Sequence, residues 1–182
     1  PRIPGATVFF TVGLADRNSS VLVDHIGCLR EAVRKTQVER PFYIDAFVVL
    51  PNHLHTVWTL PEGDSDCSTR WGAIKARFTR ACRAALTDPC RPGFSPAPYP
   101  KEFPIVQSGR YAGLKPGLRQ NKREQAVWQR RFWEHYIRGS EDFVAAVSYC
   151  HINPVKHGFV DRAEDWPYSS VHREIRAGRW AA

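Results

Sequence analysis

Pro51-Asn52-His53-Leu54-His55-Thr56-Val57-Trp58 is the stretch on which the reading of the chain turns. It lies inside an apolar, β-branched and aromatic run over 42–60, the composition of a strand. Strand side chains alternate faces with a period of two, so His53 and His55 point the same way and Leu54 turns into the core. Their Cα atoms would stand about 7 Å apart, close enough for both imidazoles to converge on one divalent ion. Two solvent-facing strand histidines would show the same spacing, so the rest of the chain must decide.

Upstream, ATVFFTVGL over 6–14 is β-branched and aromatic and predicts a first strand. Ser19 or Ser20 can then cap a helix, in which Val21, Ile26, Cys28, Leu29 and Val33 keep an approximate 3.6-residue spacing until Pro41 halts it after Arg40. A second strand over 42–50 and a third from His53 to Leu60, joined tightly by Pro51-Asn52, read as an antiparallel pair. Over 67–86, Trp71, Ile74, Phe78, Cys82 and Ala85 recur at intervals of three and four. This is an amphipathic helix, with Ser68 as a possible cap and Arg70, Lys75, Arg77, Arg80 and Arg83 spread around its polar side. RFWEHYIR, over 131–138, predicts a fourth strand on which Glu134 and His135 alternate, so that one of the two faces the site.

Ser140, followed by Glu141 and Asp142, gives a cap and two acids suited to a helix amino terminus. Phe143, Val147 and Cys150 form that helix's core stripe. Pro154 disfavours helical geometry at the residue before it, so the helix is expected to end near Asn153. Tyr149 and Asn153, four residues apart, share a face. His151 and His157 flank the pair, but His151 is rotated about 200° from Tyr149 on a helix and is left out of the site. The order strand, helix, strand, strand, helix, strand, helix predicts an α+β fold, with a central antiparallel sheet and helices packed on it. If the last main helix crosses the histidine strand, two imidazoles, an amide oxygen and a phenol meet.

Composition narrows the partners. A chain of 182 residues with 43% apolar content can bury one sizeable core, and a single domain over 1–182 is expected. No apolar run approaches the roughly 20 residues of a membrane helix, no leader pattern is present, and the cytoplasm is the expected compartment. Methionine is absent even at position 1, so the native start is expected to be missing. The five cysteines are odd in number and never spaced CxxC, which predicts reduced thiols without a zinc clip. Of the net charge of +8, residues 70–131 hold more than the whole: fourteen Lys/Arg stand there against three acids, mingled with Trp71, Phe78 and Trp128. Cations interleaved with aromatics suit single-stranded or hairpin nucleic acid rather than a membrane surface. Seven of the fourteen prolines fall between 89 and 116, predicting an inserted Pro/Gly-rich basic loop over about 88–127.

The histidine pair on a central strand and a later helix bearing Tyr149 and Asn153 resemble the HUH single-tyrosine transposases. More narrowly, VVLPNHLHTVWTLPEGDSD over 48–66, the helix with Trp71, Lys75, Phe78, Thr79 and Arg80, RFWEHYIR, INPVKHG over 152–158 and DWPYSSVHR over 165–173 resemble the REP-associated tyrosine transposases. The resemblance implies a ferredoxin-like HUH domain. It implies that His53, His55 and Asn153 hold a divalent metal, Mg²⁺ or Mn²⁺, although imidazole ligands would also accept Zn²⁺. It implies that Tyr149 attacks a phosphate of single-stranded DNA to give a 5′-phosphotyrosine. The substrate would be a hairpin-forming repetitive palindrome, with Arg70, Lys75, Arg77 and Arg80 as backbone contacts and the protein a monomer or homodimer. Three alternatives stay open: a hairpin-binding regulator that cuts nothing, a metal-dependent hydrolase using water, and a fully mobile transposase.

Overall fold

The same alternation that pairs the two histidines builds the sheet. In the computed structural model, which describes residues 3–87 and 127–180, β1 (Thr7–Gly13) lies antiparallel to β3 (His53–Thr59), β3 to β2 (Tyr43–Val49), and β1 to β4 (Trp133–Tyr136). The sheet order is β2-β3-β1-β4. With helices α1 (Val21–Asp24) and α2 (Ile26–Glu39) between β1 and β2, and α3 (Cys67–Thr87) between β3 and β4, this is the ferredoxin-like order of a βαββαβ unit. The α+β expectation holds. Nearly all of the predicted inserted loop lies outside the described residues.

The two faces of the sheet differ in what covers them. Val8, Phe10, Val12, Leu54 and Trp58 point to one face and are fully buried. Phe10 meets Trp58 and the α3 residue Trp71 at ring-centroid distances of 5.0 and 5.7 Å, and Trp58 stacks on Trp71 at 4.3 Å. α2 packs beside α3, burying Leu29, Ala32 and Val33. Truncating a ring such as Trp58 to alanine would cost about 3–5 kcal/mol. The opposite face carries Phe9, Thr11, His53 and His55 and is covered by a single long helix, α4 (Ser140–Lys156). The metal-type residues therefore sit between sheet and helix.

Three expectations for the helices need correction. The helix predicted from Ser19 or Ser20 to Arg40 is two helices, because His25 leaves helical geometry at φ −114°, ψ 36°. With the break, Leu22, Val23, Ile26 and Leu29 are all buried. α4 does not open on a Ser140 cap: Gly139 occupies the cap position, and Asp142 reaches back to accept the Arg138 amide at 3.0 Å. Nor does α4 stop before Pro154, which lies inside it. The proline is buried, and the missing amide falls in the last turn, where one absent hydrogen bond costs little against the packing gained. The stop comes at Gly158, whose φ of +69° allows a paired terminal turn: its amide donates to the Val155 carbonyl at 2.9 Å and the Phe159 amide to the Pro154 carbonyl at 3.0 Å.

Past α4 the chain passes a 3₁₀ turn (Ala163–Asp165), runs along the outer edge of β2 and ends in α5 (Val171–Arg176). The Val49 amide donates to the Tyr168 carbonyl and the Ser170 amide to the Phe47 carbonyl, at 2.9 and 2.7 Å, while the buried Trp166 indole donates to the Val49 carbonyl at 2.8 Å. An edge that would otherwise offer open amides is thereby closed.

Candidate active site

Strand register sets the histidines before any ligand is considered. His53 and His55 face α4 with ring centroids 5.0 Å apart, flanked on β1 by their register partners Gly13 and Thr11. The Thr11 hydroxyl lies 2.8 Å from His55 Nδ1. His53 Nδ1 lies 2.6 Å from Asn52 Oδ1. The Asn52 amide nitrogen donates to the Arg17 carbonyl, so its oxygen is the end turned to His53. His53 Nδ1 must therefore carry the proton, leaving the Nε2 lone pair for a ligand. At both rings Nδ1 is engaged by the protein.

Burial keeps these rings neutral. Desolvation, aided by His157 and Arg17, holds the His53 imidazole down to about 4, and the same burial, with His53 and His157 beside it, holds His55 well below its ordinary range. A neutral imidazole is the form that binds a metal.

α4 supplies the rest as a stripe. Tyr149 packs edge-on against His55 at 5.2 Å and against Phe9 at 5.7 Å. Two turns on, His157 meets His53 at 5.2 Å. Asn153 lies four residues from each and shares their face of the chain as the helix turns. Its Oδ1 is buried and accepts no hydrogen bond from the protein. Orphaned buried oxygens are uncommon, and this one has the chemistry of a cation ligand. Among the described residues no three His, Cys, Asp or Glu side chains form a metal cluster; an amide oxygen such as this one is a donor type that could complete a site. His53, His55 and Asn153 therefore fit a divalent ion. Lys156 adds a cation, its Nζ 4.7 Å from the centre of the Tyr149 ring.

The other candidates separate. His151 points away, bonded to Ser170 at 3.0 Å and packed on Trp180. On β4, His135 faces the α4 side of the sheet and Glu134 the other. Of the four α3 residues expected to contact the DNA backbone, Arg70 is 3% exposed and committed to the protein: it pairs with Asp64 at 2.6 Å and donates to the Arg40, Pro41 and Asp66 carbonyls. Lys75 donates to the Gln129 carbonyl at 2.9 Å, and Arg77 binds Thr36 and Glu39. Arg80 is exposed. Burial raises the Cys67 and Cys82 thiols to about 11 and about 12, which suits inert packing residues.

Sequence reasoning had no handle on Thr11, because its role needs the β1–β3 register. Asn52 adjoins His53 in the chain, and its polar side chain beside a candidate ligand was the available signal. No helix among the described residues is long and apolar enough to cross a membrane.

No protein-family model matches the chain. A REP-associated tyrosine transposase of Escherichia coli K12 is 42% identical over 176 residues, which cover 97% of this chain and 82% of the relative. A Haemophilus influenzae protein provisionally given the same name is 38% identical over 95% of this chain and 84% of its own length. The solved structure of a REP-associated tyrosine transposase bound to a REP hairpin superposes with a TM-score of 0.75 at 39% identity, covering 100% of this chain and 88% of that one. With identity at that level across nearly the whole length, and a shared fold, the chain belongs to the REP-associated tyrosine transposases.

Proposed function

We propose that the chain nicks and rejoins single-stranded DNA at REP-type hairpins, with Tyr149 as nucleophile and His53, His55 and Asn153 as ligands of a divalent metal, Mg²⁺ or Mn²⁺. The observation that carries this is the Tyr149 ring set against His55, whose ring lies beside that of His53, with the orphaned Asn153 oxygen one turn along the same helix from Tyr149. The family relative solved with a REP hairpin supports the choice of substrate. When bound, the metal would polarise a non-bridging oxygen of the scissile phosphate.

The chain's own residues do the remainder. His53 and His55, with Nδ1 fixed by Asn52 and Thr11, present Nε2 in a set direction and need no reorganisation. Phe9, stacked on His55 at 5.6 Å and edge-on to Tyr149, fixes the angle between ligand and nucleophile. The Tyr149 oxygen forms a bond to phosphorus as the bond to the 3′ oxygen of the preceding nucleotide breaks. The phenol gives up its proton, the departing 3′ oxygen gains one, and a 5′-phosphotyrosine remains. One ester replaces another, so a 3′-OH can reverse the step without ATP. Positioning and charge stabilisation carry most of such a transfer, and Lys156 places a positive charge beside the nucleophile's ring. The work would take place in the bacterial cytoplasm.

Incubation with a labelled single-stranded REP hairpin oligonucleotide and Mg²⁺ or Mn²⁺, followed by a denaturing gel, tests the reading. A covalent protein–DNA band is expected, lost in Tyr149→Phe while hairpin binding persists. Cleavage without an adduct would indicate a hydrolase instead, and binding without cleavage a regulator.

A further inference from the structure

One large ring beside the site has no part in the chemistry above. Trp133, on β4, is 58% exposed, whereas Trp58, Trp71, Trp128 and Trp166 are buried. Its register partner on β1 is Thr11, and Thr11 is the register partner of His55 on β3. Trp133, Thr11 and His55 thus form one row across three strands on the α4 side. At about 4.8 Å per strand, the backbone of Trp133 lies roughly 10 Å from that of His55.

The indole is exposed but its setting is fixed. Phe9 meets it edge-on at 5.7 Å and 72°. His135 lies nearly parallel to it, 6.0 Å away at 10°, and is itself held by the Asp142 carboxylate at 2.8 and 3.1 Å. Phe9 is also the ring that touches Tyr149 and His55, so a single aromatic separates Trp133 from both nucleophile and ligand. Arg130 and Arg131, both exposed, lie just ahead of this strand, separated from Trp133 by Phe132. A large flat ring held in place, two cations at its approach and a phosphate-handling site one ring away together match a stacking subsite for single-stranded nucleic acid.

We propose that Trp133 is a stacking platform for an unpaired nucleobase of the cleaved strand, within about two nucleotides of the scissile phosphate. The proposal rests on the DNA-cleaving reading above. Stacking makes the subsite tolerant of base identity. Its task is to hold the strand taut beside Tyr149, which places Trp133 as a positioning residue.

The probe is a REP hairpin with single-stranded flanks, carrying 2-aminopurine at each flanking position in turn, and the same hairpin trimmed of its flanks. With the wild-type chain, 2-aminopurine fluorescence is expected to fall on binding at one or two adjacent positions. Trp133→Ala should abolish that quenching and weaken binding of the flanked hairpin roughly 5- to 100-fold, the range for loss of one stacked base. The trimmed hairpin should bind both proteins alike, and Trp133→Phe should keep most of the quenching. Equal quenching in wild type and Trp133→Ala, or an equal loss of affinity for flanked and trimmed probes, overturns the proposal while leaving the Tyr149 adduct intact. Quenching lost in Trp133→Ala from a wild-type protein that forms no adduct would instead overturn the cleavage reading and keep the platform. Absence of any binding to the flanked probe sinks both.

Discussion

At the scale of single residues, the site is a set of small constraints on imidazole geometry. The Thr11 hydroxyl at 2.8 Å from His55 Nδ1 is the clearest case, since it comes from another strand and fixes the ring before any metal arrives. Thr11→Val keeps the β-branched shape and removes the oxygen. Metal affinity is expected to fall about 10- to 100-fold, read by Mn²⁺ titration calorimetry, with the thermal midpoint little changed. Unaltered affinity would show that packing alone orients His55. Residue-level chemistry also separates two arginines that look alike in sequence. Arg70→Ala removes a buried side chain whose guanidinium ties a one-third-exposed Asp64 carboxylate and three carbonyls together, and should cost about 1–3 kcal/mol of stability. Arg80→Ala should leave stability alone. If Arg80 meets a phosphate, the slope of log affinity against log salt for hairpin DNA should shrink by about 0.7. An unchanged slope would remove Arg80 from the interface.

Elements decide what a sequence can disclose. The strand bearing His53 and His55 was legible because a period of two is a local property, and the shared face of Tyr149 and Asn153 because helical spacing is equally local. What stayed hidden depends on contacts distant in sequence. The break at His25 answers to core residues on both sides of it, and the tethering of His55 to a β1 hydroxyl answers to register. The end of α4 shows the limit of a local rule: Pro154 predicts a stop, yet its buried ring is kept in the helix, and the final turn carries His157 up to His53. Gly158 then closes the helix at φ +69°. Gly158→Ala forces a Cβ into that region, at about 1–2 kcal/mol, and the thermal midpoint should drop by roughly 2–8 °C in a chain of this size. A variant that melts with the wild type would mean the terminal turn can rearrange at no cost.

For the molecule as a whole, the candidate site is a seam between a sheet and one helix, so the proposed metal binding would be coupled to folding and protonation. An unfolded chain exposes His53 and His55, which then take up protons around pH 6.5. In the folded chain burial holds His53 to about 4 and His55 well below its ordinary range, so the folded state binds fewer protons across that window. Stability therefore rises with pH there: it is fully present above about 6.5 and is lost as pH falls from 6.5 toward 4. For His53 alone, on the order of 3 kcal/mol is at stake. A divalent ion that binds only the folded seam adds about 2.7 kcal/mol when present at 100 times its dissociation constant, a rise of roughly 5–10 °C in the midpoint. The folded imidazoles stay neutral well below pH 6.5, so protons barely compete with the metal until the pH approaches 4. Thermal scans at pH 7.5 and 5.5, with chelator or with Mn²⁺, would show a metal-free midpoint that falls with acid and a Mn²⁺ shift of similar size at both. Asn153→Ala separates the two effects. Its Oδ1 bonds to nothing in the protein, so the acid sensitivity of the metal-free chain should persist while the Mn²⁺ shift drops sharply. An undiminished shift in that variant would take Asn153 out of the ligand set and leave the two imidazoles to find their third oxygen elsewhere.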